Sequence, residues 1–461
     1  MTNSKRWDKS QNNSKSKLHD LKKSKPAKSW YRYALFGLLI CLLSAFFWTG
    51  GIAGFANSIA QNAIASKRLD SADWWLGVAR SLSTSNASTD FLQARTERQR
   101  GNLDKMSVYL KAAHSKGFDP NRLEREQALA SASLGRLTKD VEDRLNQWLQ
   151  EPNAESGEIF DSYSNGLTTV SRFEHALEVL HLWEEYAPRE PVANYRIARV
   201  KEHFSQASEA EAQYRKAIEK DSKFQKANYN LARLLLDQKR PEEALKYFQL
   251  CNSGAPALAL AAKTGMARCF KTLGESEKAL SLLKEVLKSS YEDLVESYRS
   301  VDEIPERSVA ASELGIIETE LGDFTEARKH LEIALSLHPL DSIARYSYAI
   351  ALRGLGLKKE AEENFAITRT ARAALDQVPV LQAMLSKDPH DTKSRIKFGR
   401  IVLEHESERT GLFWLQSVFS YDPINSEAHE AIANYFESKK KRTPEDEKRA
   451  AYHRSFVKKN R

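Results

Sequence analysis

The sequence contains few of the residues that cross-link small folds or end their helices, with 3 cysteines, 13 prolines and 19 glycines in 461 residues. Cys41, Cys251 and Cys269 form no CxxC pair and show no regular spacing. Neither a disulfide framework nor a zinc site is therefore indicated, and we expect Cys251 and Cys269 to be free thiols that pack as small apolar residues. The remaining composition, 41% hydrophobic and 29% charged, is typical of a largely helical globular protein.

Motifs of the common catalytic sites are also missing. The sequence has no phosphate-binding glycine loop, no GxSxG turn and no HExxH pair. Its 11 histidines are scattered, and a pair such as His175 and His181 lacks the spacing that puts two ligands on one helix face. The sequence therefore predicts no enzyme, no catalytic residue, no cofactor and no metal site.

Excess charge is missing from most of the chain. The net charge is +8, and residues 1–32 alone hold ten lysines or arginines against two aspartates. The other 429 residues carry 60 positive and 60 negative side chains. Because a nucleic-acid-binding domain needs a basic surface of its own, we predict no nucleic-acid partner. Residues 1–32 are polar as well as basic, which predicts a disordered cytoplasmic segment.

One long uncharged segment is present at residues 33–56, YALFGLLICLLSAFFWTGGIAGFA. Its 24 residues are enough to cross a bilayer as a helix. The basic flank lies only on the N-terminal side, so the positive-inside rule predicts a single-pass signal anchor with the C-terminal bulk on the exoplasmic or periplasmic side. A cleaved signal peptide is the alternative, since Gly54 and Ala56 are small residues at the positions a signal peptidase reads.

Beyond the uncharged segment, one pattern repeats about every 34 residues. Residues 225–258 place Leu231 and Ala232 on a first helix and Ala244 and Phe248 on a second, and residues 308–341 follow the same plan. The corresponding small position of the second helix recurs at Ala72, Met106, Asp140, Ala176, Ala210, Ala244, Ala279, Ala327, Ala361 and Gly411. A fixed period of this length predicts stacked helical hairpins. The pattern resembles the tetratricopeptide repeat (TPR) family.

The resemblance implies an all-α fold, a right-handed superhelix of hairpins that follows the transmembrane helix. Residues 57–290 are interpreted as a first block of repeats, 308–375 as a second, and 392–461 as C-terminal repeats with a capping helix. Longer gaps in the period predict insertions at 291–307 and 376–391. The hairpin around Asp140 departs from the pattern, because Asp140 and Arg144 stand where the family has apolar residues.

In TPR arrays the ligand lies against the first helices, at repeat positions 2, 5 and 9. Positions 5 and 9 lie one helical turn apart on one face. Here these positions predict a peptide-binding groove, which we call the basic stripe, formed by Tyr195, Arg199, Tyr229, Arg233 and Arg268. Such a stripe suits an acidic peptide. A plainer interpretation is that the arginines pair with acids such as Glu202 and Asp237 while the tyrosines pack between helices.

These features predict a membrane-anchored TPR scaffold without enzymatic activity, which mediates protein interaction and complex assembly. The expected partner is a protein or peptide, and the basic stripe favours an acidic one. The alternative is a recruitment subunit of an enzyme complex in envelope biosynthesis or export. The specific carboxylate clamp of chaperone-binding TPR domains is not matched, since only Asn230 agrees with it.

Overall fold

The computed structural model describes residues 51–83, 85–150, 155–204, 206–254, 258–303, 307–388 and 390–459. Within these ranges the secondary structure is helical, with no strand. The chain is an all-α helical repeat solenoid, as predicted. It divides into two compact units, Met1–Ala130 and Ser131–Arg461.

The first unit contains two helical hairpins and most of a fifth helix. Its core includes the buried side chains of Ile64, Leu76, Phe91 and Leu110. Its third helix buries polar as well as apolar residues, and the unit pairs charges internally, as between Arg98 and Glu126. The helices are α1 (Gly51–Ala65), α2 (Leu69–Leu82), α3 (Ala87–Arg100), α4 (Leu103–Ser115) and α5 (Pro120–Ser133), which contains the boundary between the units.

The second unit continues the hairpins to the end of the described chain. Its helices are α6 (Lys139–Gln150), α7 (Ser156–Thr169), α8 (Phe173–Tyr186), α9 (Pro191–His203), α10 (Ala207–Lys220), α11 (Gln225–Asp237), α12 (Pro241–Gly254), α13 (Ala259–Thr272), α14 (Ser276–Lys288), α15 (Tyr291–Arg299), α16 (Arg307–Glu320), α17 (Phe324–Leu337), α18 (Ser342–Gly354), α19 (Lys358–Leu375), α20 (Val378–Lys387), α21 (Thr392–His405), α22 (Glu408–Ser417), α23 (Ser426–Ser438) and α24 (Pro444–Lys459). Helices α15 and α20 lie within the ranges 291–307 and 376–391.

Small residues allow the paired helices to approach each other closely. At the repeating position of the second helix, Ala210, Ala244 and Ala327 are fully buried. On a first helix, a Cβ added to Gly315 would lie 2.5 Å from Leu331 Cγ, so no larger residue fits there. Glycines also occupy turns of the hairpins: Gly101, Gly135, Gly274, Gly322 and Gly356 all have φ between +71° and +83°, a conformation that glycine adopts without strain.

The hairpin around Asp140 is polar where its neighbours are apolar. Asp140 and Arg144 form an ion pair with 3.2 Å between Oδ2 and Nε, and the aspartate side chain is exposed. Leu145 is the buried residue of helix α6. The departure from the repeat pattern therefore corresponds to a helix that buries little apolar surface.

Within the second unit, early and late hairpins contact each other. The Ser420 hydroxyl donates to the Val170 carbonyl over 2.8 Å, and the Tyr421 hydroxyl donates to the Glu174 carboxylate over 3.1 Å. The ring of Phe413 lies 5.8 Å from that of Phe173, measured between centroids. The array therefore turns back on itself across roughly 240 residues of sequence, a turn consistent with the small rotation between successive repeats.

The predicted disordered segment and most of the predicted anchor, through residue 50, lie outside the described residues, as does Cys41. Residues 51–56 form the first turns of helix α1, in which Ala53 and Ala56 are buried. In the described ranges, no helix combines the length and apolar character needed to cross a membrane. Cys251 and Cys269 are free and buried, and burial raises the pKa of each thiol to about 12.

Candidate binding site

The three arginines of the basic stripe come from consecutive first helices. Arg199 lies on α9, Arg233 on α11 and Arg268 on α13. Tyr195 and Tyr229 each precede their arginine by one helical turn, so they share its side of the helix. The repeat thus brings the five predicted residues to one face of the second unit.

The two tyrosines lie mostly inside this face. Tyr195 is 1% exposed, and its ring packs edge-on against Phe224 with 5.5 Å between centroids. Tyr229 packs against Phe248 at 5.4 Å and is also buried. Burial raises the pKa of both phenols. The rings therefore serve the packing of helices, and the Tyr195 hydroxyl is the part that takes part in polar contacts at the face.

Neighbouring repeats supply some of the acids that face the arginines. Arg233 Nη2 lies 2.6 Å from Glu202 Oε1. Arg268 Nε lies 3.3 Å from Glu313 Oε1, and its Nη2 lies 3.7 Å from Asp237 Oδ1. The acids named by the plainer interpretation, Glu202 and Asp237, are thus among the partners of the stripe.

The remaining acids come from the insertion. The segment after helix α15, residues 301–303, lies against the stripe, and we call it the acidic turn. The Tyr195 hydroxyl donates to Asp302 Oδ2 over 3.1 Å. Arg199 Nη1 donates to Glu303 Oε1 over 2.6 Å, and Arg233 Nε lies 3.6 Å from the same oxygen. An acidic segment therefore occupies the stripe, and it belongs to the same chain.

Two cations outside the predicted set complete the site. Lys226 Nζ donates to Asp302 Oδ1 over 2.6 Å, and Arg196 Nη1 lies 3.8 Å from Asp302 Oδ2. Each carboxylate of the acidic turn thus faces two cations. Lys226 stands at repeat position 2, which the family pattern already marks as exposed on this face. Arg196 stands at position 6, and no repeat rule would have identified it.

Apolar packing fixes the insertion beneath the acidic turn. Leu294, Tyr298 and Val301 are buried in the same core as Tyr195 and Tyr229. The backbone is held as well, because Asn230 Nδ2 donates to the Val301 carbonyl over 3.1 Å and the Glu303 amide donates to the Tyr298 carbonyl over 2.9 Å. This arrangement aims both carboxylates at the stripe.

The electrostatic environment favours the charged forms of these groups. Burial alone would raise the pKa of Asp302, but the cations of Arg196 and Lys226 hold it below its ordinary value. Burial likewise opposes the charge on Arg199, yet the phenols of Tyr195 and Tyr214, followed by the nearby carboxylates, raise its pKa well above the usual value. The site is therefore built to hold carboxylates. Among the described residues, no cluster of histidine, cysteine and acidic side chains could hold a metal ion.

A sequence profile for the tetratricopeptide repeat matches residues 195–252 and 313–378. These two segments are tetratricopeptide repeats. The first contains Tyr195, Arg199, Tyr229 and Arg233, so most of the basic stripe is TPR surface. Arg268 lies beyond the matched segment.

Several solved structures are similar to this chain. The MamA protein is 16% identical, with 41% of this chain and 94% of that chain covered at a TM-score of 0.30. A human IFIT1 dimer with PPP-AAAA is 15% identical, with 88% and 90% covered at 0.37. YrrB, described as a TPR protein with an unusual peptide-binding site, is 20% identical, with 47% and 96% covered at 0.27. No curated protein sequence is matched.

Proposed function

We propose that the protein is a membrane-anchored TPR scaffold that binds a protein partner and organises a complex on the exoplasmic or periplasmic side of the membrane. Two repeat segments with the TPR profile support a role in protein interaction. The observation that carries the proposal is the basic stripe, where first-helix side chains hold an acidic chain segment by paired charges and by a main-chain hydrogen bond.

The proposal includes no catalytic activity and no nucleic-acid partner. Every excess positive charge lies in residues 1–32, ahead of the repeats. The cations of the stripe are already matched by acids such as Glu202, Glu303 and Glu313. A balanced surface of this kind suits recognition of a segment with defined acidic positions better than attraction of a polyanion.

The test is a quantitative crosslinking pull-down of the full-length chain, tagged at its C-terminus and expressed in cells of its own organism. The matched control carries residues 1–56 and the same tag, so that it keeps the predicted anchor without the repeats. We expect at least one protein to be recovered in near-equal amount with the full chain and to be absent from the control. Identical recoveries from the two proteins would contradict a scaffold role for the repeats.

The side of the membrane is tested separately by protease accessibility. With the C-terminal tag outside the cytoplasm, protease added to intact spheroplasts should remove it. Protection in intact spheroplasts, with cleavage only after permeabilisation, would place the repeats in the cytoplasm and overturn the proposed topology.

A further inference from the structure

The insertion combines a buried anchor with a partly exposed acidic end. Leu294, Tyr298 and Val301 are fully or almost fully buried. In contrast, the side chain of Asp302 is 28% exposed and that of Glu303 is 23% exposed. A local opening that begins at Val301 would release both carboxylates and the carbonyl held by Asn230, while Leu294 and Tyr298 keep helix α15 packed in the core.

We infer that the acidic turn is a resident ligand of the stripe, and that an acidic segment of a partner protein with two adjacent carboxylates competes with it for Arg196, Arg199, Lys226 and Arg233. This inference rests on the proposed function and specifies the ligand of the same site. The insertion then acts as an internal competitor, and it sets the minimum affinity that a partner segment needs to displace the acidic turn.

The backbone of the turn ends helix α15. Asp302 has φ of +58°, in the left-handed region that aspartate adopts more readily than most residues with a Cβ. Its amide donates to the Arg299 carbonyl over 3.1 Å, and the Glu303 amide donates to the Tyr298 carbonyl over 2.9 Å. The left-handed residue therefore turns the chain out of the helix, where both carboxylates meet the cations of the stripe.

The stripe also has bonding capacity that the turn leaves unused. Arg233 Nε is buried and has no hydrogen-bond partner among the described residues, since Glu303 Oε1 stays 3.6 Å away. A carboxylate that moves a few tenths of an ångström closer would make this bond. Opening the turn also removes two negative charges, which leaves Arg199 and Lys226 without their nearest carboxylates.

The site favours a polypeptide ligand because it contacts a main-chain carbonyl as well as carboxylates. The Asn230 side chain donates to the carbonyl of residue 301, and its Oδ1 accepts from Arg199 over 2.6 Å. Asn230 therefore ties recognition of a backbone carbonyl to the position of the arginine that binds the next acid. A phosphodiester chain offers no amide carbonyl at this spacing.

The test uses the full-length chain in detergent or nanodiscs and a fluorescent peptide with the sequence of residues 298–303, YRSVDE. The double variant Asp302→Asn with Glu303→Gln keeps the shape of the turn and removes its charges. We expect fluorescence anisotropy to show that this variant binds the peptide at least about tenfold more tightly than the unmodified chain, because the internal competitor is weakened. A peptide that ends in VNQ should bind the double variant no more tightly than it binds the unmodified chain.

Two further substitutions, each added to the double variant, test whether the increase in peptide affinity arises at the stripe. Arg199→Gln should abolish the increase. Arg328→Gln removes an exposed arginine that pairs with Glu332 at 2.8 Å on helix α17, and it should leave the gain intact. Circular dichroism is recorded for every protein, so that a loss of binding is compared only between chains of equal helicity.

Three results would overturn the inference: equal affinity of the folded double variant and the unmodified chain, an equal gain for the VNQ peptide, or displacement of YRSVDE by single-stranded RNA at equal charge concentration. These outcomes are separate from those of the pull-down. A gain in peptide affinity without a repeat-dependent partner in the membrane would support the acidic site and contradict the scaffold role.

Discussion

The two segments with the TPR profile present the same kind of face in two different states. Tyr195 and Tyr346 stand at the same repeat position, yet Tyr195 is 1% exposed and Tyr346 is 50% exposed. Helix α15 and the acidic turn cover the face of α9, α11 and α13, which we call the filled face. On the first helix α18, Ile343 and Tyr346 are 69% and 50% exposed, and we call this surface the open face.

This difference shows that a repeat position determines the direction of a side chain but not its burial. Position 2 gives Lys226 on the filled face, bound to Asp302, and Ile343 on the open face, which is 69% exposed. A side chain on this side of a hairpin is buried where another segment of the chain packs over it. The insertion therefore converts a potential binding surface into a site with an internal ligand.

The two faces should differ most in the stability lost when an apolar side chain is removed. Leu294→Ala removes a fully buried side chain that anchors the insertion, and we expect it to lower the free energy of unfolding of the second unit by about 2–5 kcal/mol. Ile343→Ala on the open face should change it by no more than about 0.5 kcal/mol. Urea unfolding followed by circular dichroism measures both. A cost under about 1 kcal/mol for Leu294→Ala would mean that the insertion is not packed as described.

The second prediction concerns acid. His203, at the end of α9, stacks on Phe413 with 5.0 Å between ring centroids. Burial, together with the cations of Arg199 and Arg233, lowers its pKa from 6.5 to about 4. The unfolded chain therefore takes up this proton below about pH 6.5, and the folded chain does so only near pH 4. The contribution of His203 to the free energy of unfolding should be constant above this window and fall by about 3 kcal/mol across it as the pH decreases.

The variant His203→Phe checks this assignment, since it keeps a ring against Phe413 and cannot take up a proton. Its unfolding free energy, measured by urea titration from pH 7 to pH 4, should decline less steeply than that of the unmodified chain. The equivalent repeat position of the open face is Gly354, which cannot titrate. Parallel pH curves for the two proteins would assign the acid sensitivity to other groups.

A smaller loss of stability is expected from alanine at the glycines where paired helices approach each other closely. A Cβ on Gly265 would run into the ring of Phe248, and one on Gly315 would lie 2.5 Å from Leu331 Cγ. Gly265 lies on α13, and Gly315 lies on α16 in the second segment with the TPR profile. We expect Gly265→Ala and Gly315→Ala each to lower the free energy of unfolding by about 1–3 kcal/mol, because both glycines allow a close approach of paired helices. Gly77→Ala is the control: nothing lies within 4 Å of its Cβ, so thermal unfolding should show an equal or higher midpoint. Unequal losses of unfolding free energy at Gly265 and Gly315 would show that hairpin packing differs between α13 and α16.

The part of the fold that follows from the repeat could be predicted from the sequence. The all-helical class, the TPR pattern and the left-handed glycines at turns such as Gly322 depend on local spacing and on contacts between neighbouring hairpins. The pairing across the stripe could not be predicted in this way. Glu303 lies 104 residues from Arg199, and the repeat pattern carries no information on where an insertion folds back. The contact between Ser420 and Val170, 250 residues apart, is of the same kind.

Chemical modification of tyrosines compares the two faces without a change in the sequence. Tetranitromethane nitrates the phenolate form of exposed tyrosines. Burial shields Tyr195 and Tyr229 and raises the pKa of both phenols, so the reactive form is suppressed as well as covered. Mass spectrometry of peptides from briefly treated protein should find nitration at Tyr346 before it appears at Tyr195 or Tyr229, with the exposed Tyr452 as an internal reference. Equal rates at Tyr195 and Tyr346 would show that the insertion does not close the filled face in solution, and the acidic turn could then no longer be regarded as the resident ligand of the stripe.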